Sequence, residues 1–158
     1  MPLPLLTTGS TEKFAEMMNA EAKKLMATNS HFVNPSGLHD DNHYTTAYDL
    51  YLIFNECIKH DEFVKIINSS SYTAHITGAD GTKRDVKWEP TNYYAKGEAT
   101  PPDNVTIIGG KTGTTKGAGN CLILLTKDSS GNPYISIIMG AGSKPLLYQD
   151  MTSMLSKI

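Results

Sequence analysis

Cysteine is scarce in this 158-residue chain, which has only Cys57 and Cys121. Two cysteines cannot form the disulfide framework that holds many small secreted domains together, so the fold must depend on a hydrophobic core. Cys57 falls in a helical apolar pattern and Cys121 in a strand pattern. We therefore predict that both are small buried hydrophobic residues.

The chain also lacks an excess of charge of either sign. Its 14 basic and 16 acidic residues leave a net charge of -2, which gives no electrostatic reason to expect a nucleic-acid partner. No apolar run approaches the ~20 residues that a transmembrane helix needs. The first six residues have no basic region and too short an apolar stretch for a signal peptide, so no export signal is recognisable.

Hydrophobic residues make up 39% of the sequence, which is enough for a core in a chain of this length. We predict a poorly structured leader at residues 1–9 and a single domain at residues 10–158. No internal repeat or low-complexity segment divides this domain.

Helical periodicity dominates the first half of the domain. Ser10 is a candidate N-cap, and a second helix is expected to begin at Thr46 with a capping-box pattern. Asp61 is expected to cap a short third helix that ends at Ile67. The predicted buried faces of the first two helices are Phe14, Met17, Met18, Ala22 and Leu25, then Leu50, Ile53, Phe54, Cys57 and Ile58.

The second half changes to a β pattern. Residues 72–76 and 83–88 flank the loop Gly78–Gly81 and are typical of a hairpin. Three more strands are predicted at residues 105–111, 121–127 and 134–139, after a long connection at 89–104. A helix with apolar residues from Leu146 to Ile158 closes the chain. This order of elements predicts an α+β fold with an antiparallel sheet.

The most informative motif is Gly109–Thr115, which reads Gly-Gly-Lys-Thr-Gly-Thr-Thr. A glycine-rich run with Gly-Lys-Thr first suggests a phosphate-binding P-loop. That motif needs a further glycine where this chain has Val105, and it leads directly into a helix, whereas residues 120–127 have a strand pattern. Both differences argue against a nucleotide site.

The better interpretation is the Lys-Thr-Gly strand of serine acyltransferases that act on D-Ala-D-Ala peptides and β-lactams. Lys111 and Thr112 would bind a substrate carboxylate through an ammonium group and a hydroxyl group. Gly113 has no Cβ, so a substrate backbone could lie against the strand. The backbone N–H of Thr114 would contribute to an oxyanion hole. Three letters alone are a weak match, and an exposed lysine at a strand end would explain them equally well.

The surrounding sequence makes this motif specific. Four stretches, in this order and spacing, resemble the second half of the catalytic domain of the low-molecular-weight D-alanyl-D-alanine carboxypeptidases, peptidase family S11. They are Glu12–Asn19, Thr28–Leu38, Thr45–Leu50 and Gly110–Asn120. The resemblance covers roughly residues 10–158. It implies part of a β-lactamase/DD-peptidase-like fold, in which helices precede an antiparallel sheet with a C-terminal helix.

The resemblance also implies a chemistry. The family binds a peptidoglycan peptide that ends in D-Ala-D-Ala, or a β-lactam, acylates a serine, releases the terminal D-Ala and hydrolyses the ester. It needs no metal or organic cofactor, and it works outside the cytoplasmic membrane. Its serine belongs to a Ser-x-x-Lys motif, assisted by a Ser-x-Asn motif. Both motifs are expected ahead of Glu12, so we expect the nucleophile to be absent from this chain.

Two short matches to these motifs occur in the wrong places. Ser10 and Lys13 spell Ser-x-x-Lys where the resemblance predicts the start of a surface helix, so an N-cap explains Ser10 better. Ser130–Asn132 spells Ser-x-Asn after Lys111, which reverses the order of the family's motifs. Glycine and asparagine are typical of the hairpin turn predicted there.

The segment His39-Asp40-Asp41-Asn42-His43 places possible metal ligands close together. Zinc sites usually draw their ligands from a helix or strand scaffold and a distant third residue, so a solvated loop is the simpler interpretation, and we predict no metal. His75, on a hairpin strand, is expected to face solvent or to pack.

Two functional hypotheses of different classes remain. In the first, the chain is part of a serine carboxypeptidase whose activity requires an N-terminal half on another segment or chain. In the second, it is a non-catalytic domain that keeps part of the ligand groove or associates with itself through an open sheet edge. The intact Lys111–Gly113 motif favours the first. The cellular location of the chain itself stays unknown.

Overall fold

The computed structural model describes residues 7–158 and confirms the predicted α+β order. Residues 1–6, which make up most of the predicted leader, lie outside the described residues. The elements, numbered here in chain order, are α1 Thr11–Lys24, α2 Ala47–Cys57, α3 Asp61–Ile67, β1 Tyr72–Thr77, β2 Lys83–Trp88, α4 Tyr93–Lys96, β3 Val105–Thr115, β4 Gly119–Asp128, β5 Pro133–Ala141 and α5 Lys144–Leu155.

Ser10 caps α1, as predicted. Its Oγ accepts a hydrogen bond of 3.1 Å from the Lys13 backbone N–H. The predicted buried face is only partly correct, because Met17 is 57% exposed whereas Ala22 is buried. The helix is held mainly by the loop that follows it, through two hydrogen bonds of 2.7 Å between the Asn19 side chain and the Phe32 backbone. Because a loop covers a narrower part of a helix surface than a sheet does, some apolar residues of α1, such as Met17, stay exposed.

Helix α2 is anchored by a buried carboxylate. Thr46 caps the helix through the Asp49 backbone N–H, as predicted. Asp49 itself is 1% exposed. Its Oδ2 accepts hydrogen bonds of 2.7 Å from the Asn29 backbone N–H and from the Ser30 hydroxyl. These bonds tie the loop before α2 to the first turn of the helix and offset the cost of burying a charge.

Three local expectations need correction. The N-cap of α3 is His60, which makes no side-chain capping bond, and Asp61 is the first helical residue. Cys57 and Cys121 are free thiols that are half-buried rather than fully buried. Burial raises the pKa of the Cys57 thiol above its ordinary value.

The hairpin β1–β2 forms a two-stranded sheet of its own. Its register pairs Tyr72 with Trp88 and His75 with Asp85. The Tyr72 and Trp88 rings stack with centroids 6.1 Å apart. His75 is exposed and its Nδ1 lies 2.6 Å from Asp85 Oδ1, which agrees with the expectation that it faces solvent.

The second sheet has the order β3-β4-β5, and both pairings are antiparallel. Helix α5, which begins after the N-cap Ser143, covers one face of this sheet. The core lies between them. Its buried members are Tyr94, Val105, Leu122, Leu124, Ala141, Leu147, Tyr148, Met151 and Leu155.

All three strands are longer than predicted. Strand β3 continues past Lys111 to Thr115, because residues 112–115 pair with residues 119–122 of β4. The predicted strand stopped at Lys111 because Gly113 weakens a strand pattern and residues 112–115 include no apolar residue to continue it. The short helix α4 was missed inside the predicted connection at 89–104, although Asn92 caps it and Gly97 ends it with a positive φ of 73°.

Candidate ligand groove along strand β3

The register of β3 divides its side chains between the two faces of the sheet. Thr112 pairs with Leu122, which belongs to the core beneath α5, so the Thr112 side chain lies on the α5 face. Lys111 pairs with Ile123 and therefore lies on the opposite face. The outer edge of β3 has no partner strand among the described residues. Ligand groups could thus reach β3 from its edge and from both faces.

A groove of about 520 Å³ follows this edge, and we call it the β3 groove. It brings together all four residues predicted from the motif, which are Lys111, Thr112, Gly113 and Thr114. Its other lining residues are Ser36, Gly37, Thr91, Tyr93, Thr115, Ala118, Cys121, Lys144, Leu147 and Tyr148.

The far wall of the groove is a stacked aromatic pair. The Tyr93 and Tyr148 rings stack with centroids 4.6 Å apart and planes 6° apart. The Tyr148 hydroxyl accepts a hydrogen bond of 2.9 Å from the Tyr93 backbone N–H. Burial raises the pKa of this hydroxyl above its ordinary value. Thr91, just before α4, hydrogen-bonds the Thr112 hydroxyl and so fixes this wall against β3.

The β3 groove is positively charged. Lys111 and Lys144 line it, and no aspartate or glutamate is among its lining residues. The Lys111 ammonium donates to the Thr112 carbonyl oxygen. The Lys144 ammonium lies 5.7 Å from the Tyr93 ring centroid. Within residues 7–158 neither lysine has a carboxylate partner within 4.0 Å, so both charges are available to an anionic ligand.

Three glycines of the motif have different surroundings. A Cβ placed on Gly113 would meet no atom within 4 Å. A Cβ on Gly109 would lie 2.2 Å from the Ile67 carbonyl oxygen, and one on Gly110 would lie 2.1 Å from the Ile123 carbonyl oxygen. Gly109 and Gly110 are therefore needed for packing, whereas Gly113 leaves space that the fold does not use.

The two motif matches judged misplaced do not line the groove. Ser10 is occupied as the α1 cap. Ser130 and Asn132 lie in the β4–β5 turn, where their backbone N–H groups donate to Asp128 Oδ1 at 2.9 and 2.8 Å. Hydrogen bonds, first of all from the Asn132 side chain, lower the pKa of Asp128. Each serine thus has a structural role at its own site.

Among the residues that the structure describes, Ser36 is the only serine that lines the β3 groove. Its hydroxyl donates to Asn34 Oδ1 at 3.0 Å and lies 3.4 Å from the Leu38 backbone N–H, from which it accepts. No lysine or histidine contacts this hydroxyl in the described part of the chain. Ser36 therefore has no general base that could activate it.

The histidines of the 39–43 segment are placed as loop residues. His43 Nδ1 accepts a hydrogen bond of 3.2 Å from the Val33 backbone N–H. His39 Nε2 lies 3.4 Å from Asp41 Oδ1. Between residues 7 and 158 there is no group of three or more histidine, cysteine, aspartate or glutamate side chains that could hold a metal ion.

Ten of the lining residues were not predicted as site residues, among them Thr91, Tyr93, Lys144 and Tyr148. Local sequence signals did exist for the two helices that place them, α4 and α5. Asn92 and Gly97 mark the ends of α4, and Ser143 followed by Pro145 marks the start of α5. Their meeting across the groove depends on tertiary packing, which no local pattern records.

Comparisons with known proteins identify the family and the fold of the chain. A family model described as D-alanyl-D-alanine carboxypeptidase, peptidase S11, matches residues 4–143. The chain is 29% identical over 153 residues to D-alanyl-D-alanine carboxypeptidase DacF of Bacillus subtilis, covering 94% of this chain and 35% of that protein. It is 31% identical over 137 residues to D-alanyl-D-alanine carboxypeptidase DacD of Escherichia coli, covering 85% of this chain and 31% of that protein.

Among solved structures, the DD-transpeptidase of Streptomyces strain K15 superposes with a TM-score of 0.79 and 26% identity. The alignment covers 90% of this chain and 52% of that structure. The chain thus spans about a third of the length of these curated relatives and about half of the solved structure. The predicted β-lactamase/DD-peptidase-like fold is confirmed.

We predict that substitution by alanine changes the stability of the fold little at Gly113 and strongly at Gly110. Gly113→Ala should change the free energy of unfolding by less than about 1 kcal/mol, because its Cβ enters open space. Gly110→Ala should destabilise the fold by about 2 kcal/mol or more, because its Cβ would overlap a backbone oxygen. Urea unfolding of the two variants measures both. Equal destabilisation would show that the space above Gly113 belongs to the fold.

Proposed function

Because the chain belongs to the D-alanyl-D-alanine carboxypeptidase family S11, we propose that its β3 groove binds the D-Ala-D-Ala end of a peptidoglycan peptide, or a β-lactam. One observation carries this proposal. The Lys111–Gly113 motif lies on an open strand edge, in a groove with two unpaired lysines and free space above Gly113. A peptide that ends in a carboxylate suits both the charge and the shape of such a groove.

We assign the predicted roles to individual groups. Lys111 and Thr112 bind the terminal carboxylate, the first by charge and the second by its hydroxyl group. Gly113 lets the peptide backbone approach the strand. The Thr114 backbone N–H donates to the carbonyl oxygen of the residue before the terminal D-Ala. Lys144, which shares the groove, adds to the positive field at the carboxylate.

In the proposed reaction, a serine hydroxyl loses its proton to a base and attacks that carbonyl carbon. The C–N bond then breaks, the terminal D-Ala leaves as an amine after taking up a proton, and water hydrolyses the acyl-serine ester. These steps need no metal or organic cofactor. We propose that the serine and its base lie on a polypeptide segment outside these 158 residues. Ser10 and Ser130 do not line the β3 groove, and the Ser36 hydroxyl bonds only Asn34 and the Leu38 backbone N–H, so it has no base.

Location is inferred from the substrate. Peptidoglycan lies outside the cytoplasmic membrane, so we propose that the chain works in the cell envelope. Within residues 7–158, no helix combines the length and the apolar character that a bilayer crossing requires.

A second candidate function is a non-catalytic domain that associates with itself or with a missing half. Two observations favour an association surface. Strand β5 is the other edge of its sheet, with no partner beyond it in the described residues. Helix α2, which packs against β5, exposes Tyr48 and Tyr51, whose rings lie 6.1 Å apart. Unpaired edges and exposed aromatic pairs are typical of interfaces.

The first test is intact-protein mass spectrometry after incubation with benzylpenicillin. We expect no covalent adduct on the chain alone, because no serine of the groove has a base. When the N-terminal half of a family catalytic domain is added, we expect a stoichiometric adduct on that added half. An adduct on the chain alone would overturn the assignment, and one mapped to Ser10 would make it a nucleophile. No adduct in either case would favour the non-catalytic candidate.

The second test is light scattering over a range of protein concentrations. We expect the apparent mass to rise above the monomer's 17.2 kDa as concentration increases. Tyr48→Lys should reduce this association because it places a charge on the exposed aromatic surface of α2. Tyr72→Lys, on an exposed tyrosine of the separate β1–β2 hairpin, is the matched control. A chain that stays monomeric at millimolar concentration would rule out self-association.

A further inference from the structure

Another cavity opens at the end of the β3 groove where Lys111 lies. It has a volume of about 330 Å³, and we call it the hairpin pocket because the base of the β1–β2 hairpin forms one of its walls. The end of α3 and residues 89–92 line it as well, and it reaches β3 at Gly110 and Lys111. Thr91 and Lys111 line both cavities, so the two are continuous. The proposed function uses the β3 groove and gives the hairpin pocket no role.

The wall formed by the hairpin is aromatic. The Tyr72 and Trp88 rings, which stack at the base of the hairpin, both line the pocket. They are 62% and 55% exposed, so the fold gains little from burying them. The faces of such rings carry partial negative charge, which attracts the C–H groups on the face of a sugar ring. An exposed aromatic pair beside a cavity therefore suits a ligand of this shape.

A buried amide in the same pocket has an unpartnered hydrogen-bond donor. Asn92 lines the pocket and is 4% exposed. Its Oδ1 accepts a hydrogen bond of 3.1 Å from the Tyr94 backbone N–H, so its Nδ2 lies on the side of the amide turned away from that bond. This Nδ2 is buried and has no hydrogen-bond partner among the described residues. Because buried polar groups in native proteins almost always have partners, this donor points to a ligand that brings an acceptor oxygen.

The exposed polar groups of the pocket can accept hydrogen bonds. Glu89 Oε1 accepts a bond of 2.9 Å from the Lys87 ammonium, and this bond lowers the pKa of Glu89 below its ordinary value. Ser69 and Ser71 add hydroxyl groups. The hydroxyl groups of a saccharide can donate to such a carboxylate, whereas the phosphate of a nucleotide would be repelled by it. An apolar peptide segment would leave these polar groups unpaired.

We propose that the hairpin pocket binds an N-acetylated sugar of a glycan. One face of the sugar ring lies on the Tyr72–Trp88 pair, the carbonyl oxygen of its acetamido group accepts from Asn92 Nδ2, and a hydroxyl group donates to Glu89. An acetamido carbonyl fits this donor because it only accepts hydrogen bonds. The volume of the pocket is at the lower end of the ~300–1,000 Å³ of small-molecule sites, so the pocket suits a single sugar unit of a longer chain.

The position of the pocket indicates which glycan it would hold, a step that rests on the proposed function. In that function the carboxylate of the bound peptide lies at Lys111, and the amino end points toward Thr115, away from the hairpin pocket. Stem peptides are attached to their own glycan through the amino end. A sugar in the hairpin pocket thus belongs to a neighbouring glycan strand. The saccharide site itself does not depend on this step.

Trp88 is the only tryptophan in the sequence, so its fluorescence reports binding at this pocket. The test titrates the chain with N,N′-diacetylchitobiose and with cellobiose, which has hydroxyl groups in place of the acetamido groups. We expect a saturable change in emission with both sugars. The acetylated sugar should bind about five- to tenfold more tightly, the effect of one neutral hydrogen bond to a buried donor. About 0.5 M salt should change neither affinity, because both ligands are neutral.

Two variants test the two parts of the site. Tyr72→Ala should weaken the binding of both sugars, and its exposure makes a folding defect unexpected. Asn92→Asp keeps the oxygen that caps α4 and removes the donor, so it should lose the preference for the acetylated sugar. Circular dichroism checks its fold, and Tyr72→Ala keeps the test decisive if Asn92→Asp does not fold. Tyr134→Ala, on an exposed tyrosine that lines neither cavity, should bind both sugars like the unaltered chain.

The contrary outcomes are distinguishable. No response of Trp88 to either sugar at tens of millimolar would overturn the saccharide site and leave the proposed function of the β3 groove standing. Equal affinities for the two sugars, or a preference that survives in folded Asn92→Asp, would contradict the role of Asn92. A response to adenosine but to neither sugar would make the pocket a base-stacking site. Emission that changes with protein concentration alone would assign the aromatic pair to an interface between copies, and either result would overturn the proposal.

Discussion

The pairing of β3 with β4 is the constraint on which the site depends. It holds β3 in an extended form as far as Thr115, and among residues 7–158 no strand pairs with the opposite edge of β3. The register shifts between Ile107 and Gly109, and the next residue, Gly110, lies so close to β4 that only a hydrogen fits in place of a side chain. This close pairing fixes the register of Lys111 and Thr112 against β4, and the register decides on which face of the sheet each side chain lies.

Because neighbouring side chains of β3 lie on opposite faces of the sheet, the groove is lined by residues from distant parts of the chain. The α5 face receives Thr112, where Thr91 hydrogen-bonds it and the Tyr93–Tyr148 stack closes the groove. The opposite face receives Lys111, toward the side of the sheet on which α2 packs. One strand thus presents a hydroxyl on one side and an ammonium group on the other, and a ligand along its edge can use both.

Much of this arrangement could be predicted from the sequence, because its signals are local. The caps at Ser10 and Thr46, the hairpin, the three strands and the closing helix each have a pattern within a few residues. The Lys111–Gly113 motif was recognisable because its spacing to the other matching stretches is specific. The predicted fold and family are confirmed by the comparisons, whereas the roles of Lys111, Thr112, Gly113 and Thr114 stay predictions.

The rest depends on contacts between residues far apart in sequence. Met17 was expected inside because its spacing fits a helical stripe, but it is 57% exposed, and the hydrogen bonds of Asn19 to Phe32 hold another part of that helix. Asp49 has the pattern of a polar first-turn residue, and only the return of Asn29 and Ser30 buries it. Lys144 has no local feature that marks it as a groove residue. Its position results from α5 packing on the sheet, and the 39–43 loop takes its place beside the groove by the same kind of contact.

The most direct test of the central claim is a crystal structure of the chain soaked with N-acetyl-D-Ala-D-Ala. We predict that the peptide lies along β3 with its carboxylate between Lys111 and Thr112 and its acetyl group pointing toward Thr115. Binding in the reverse direction, with the carboxylate near Thr115, would contradict the assigned roles. A peptide bound elsewhere on the molecule would contradict the assignment of the β3 groove itself.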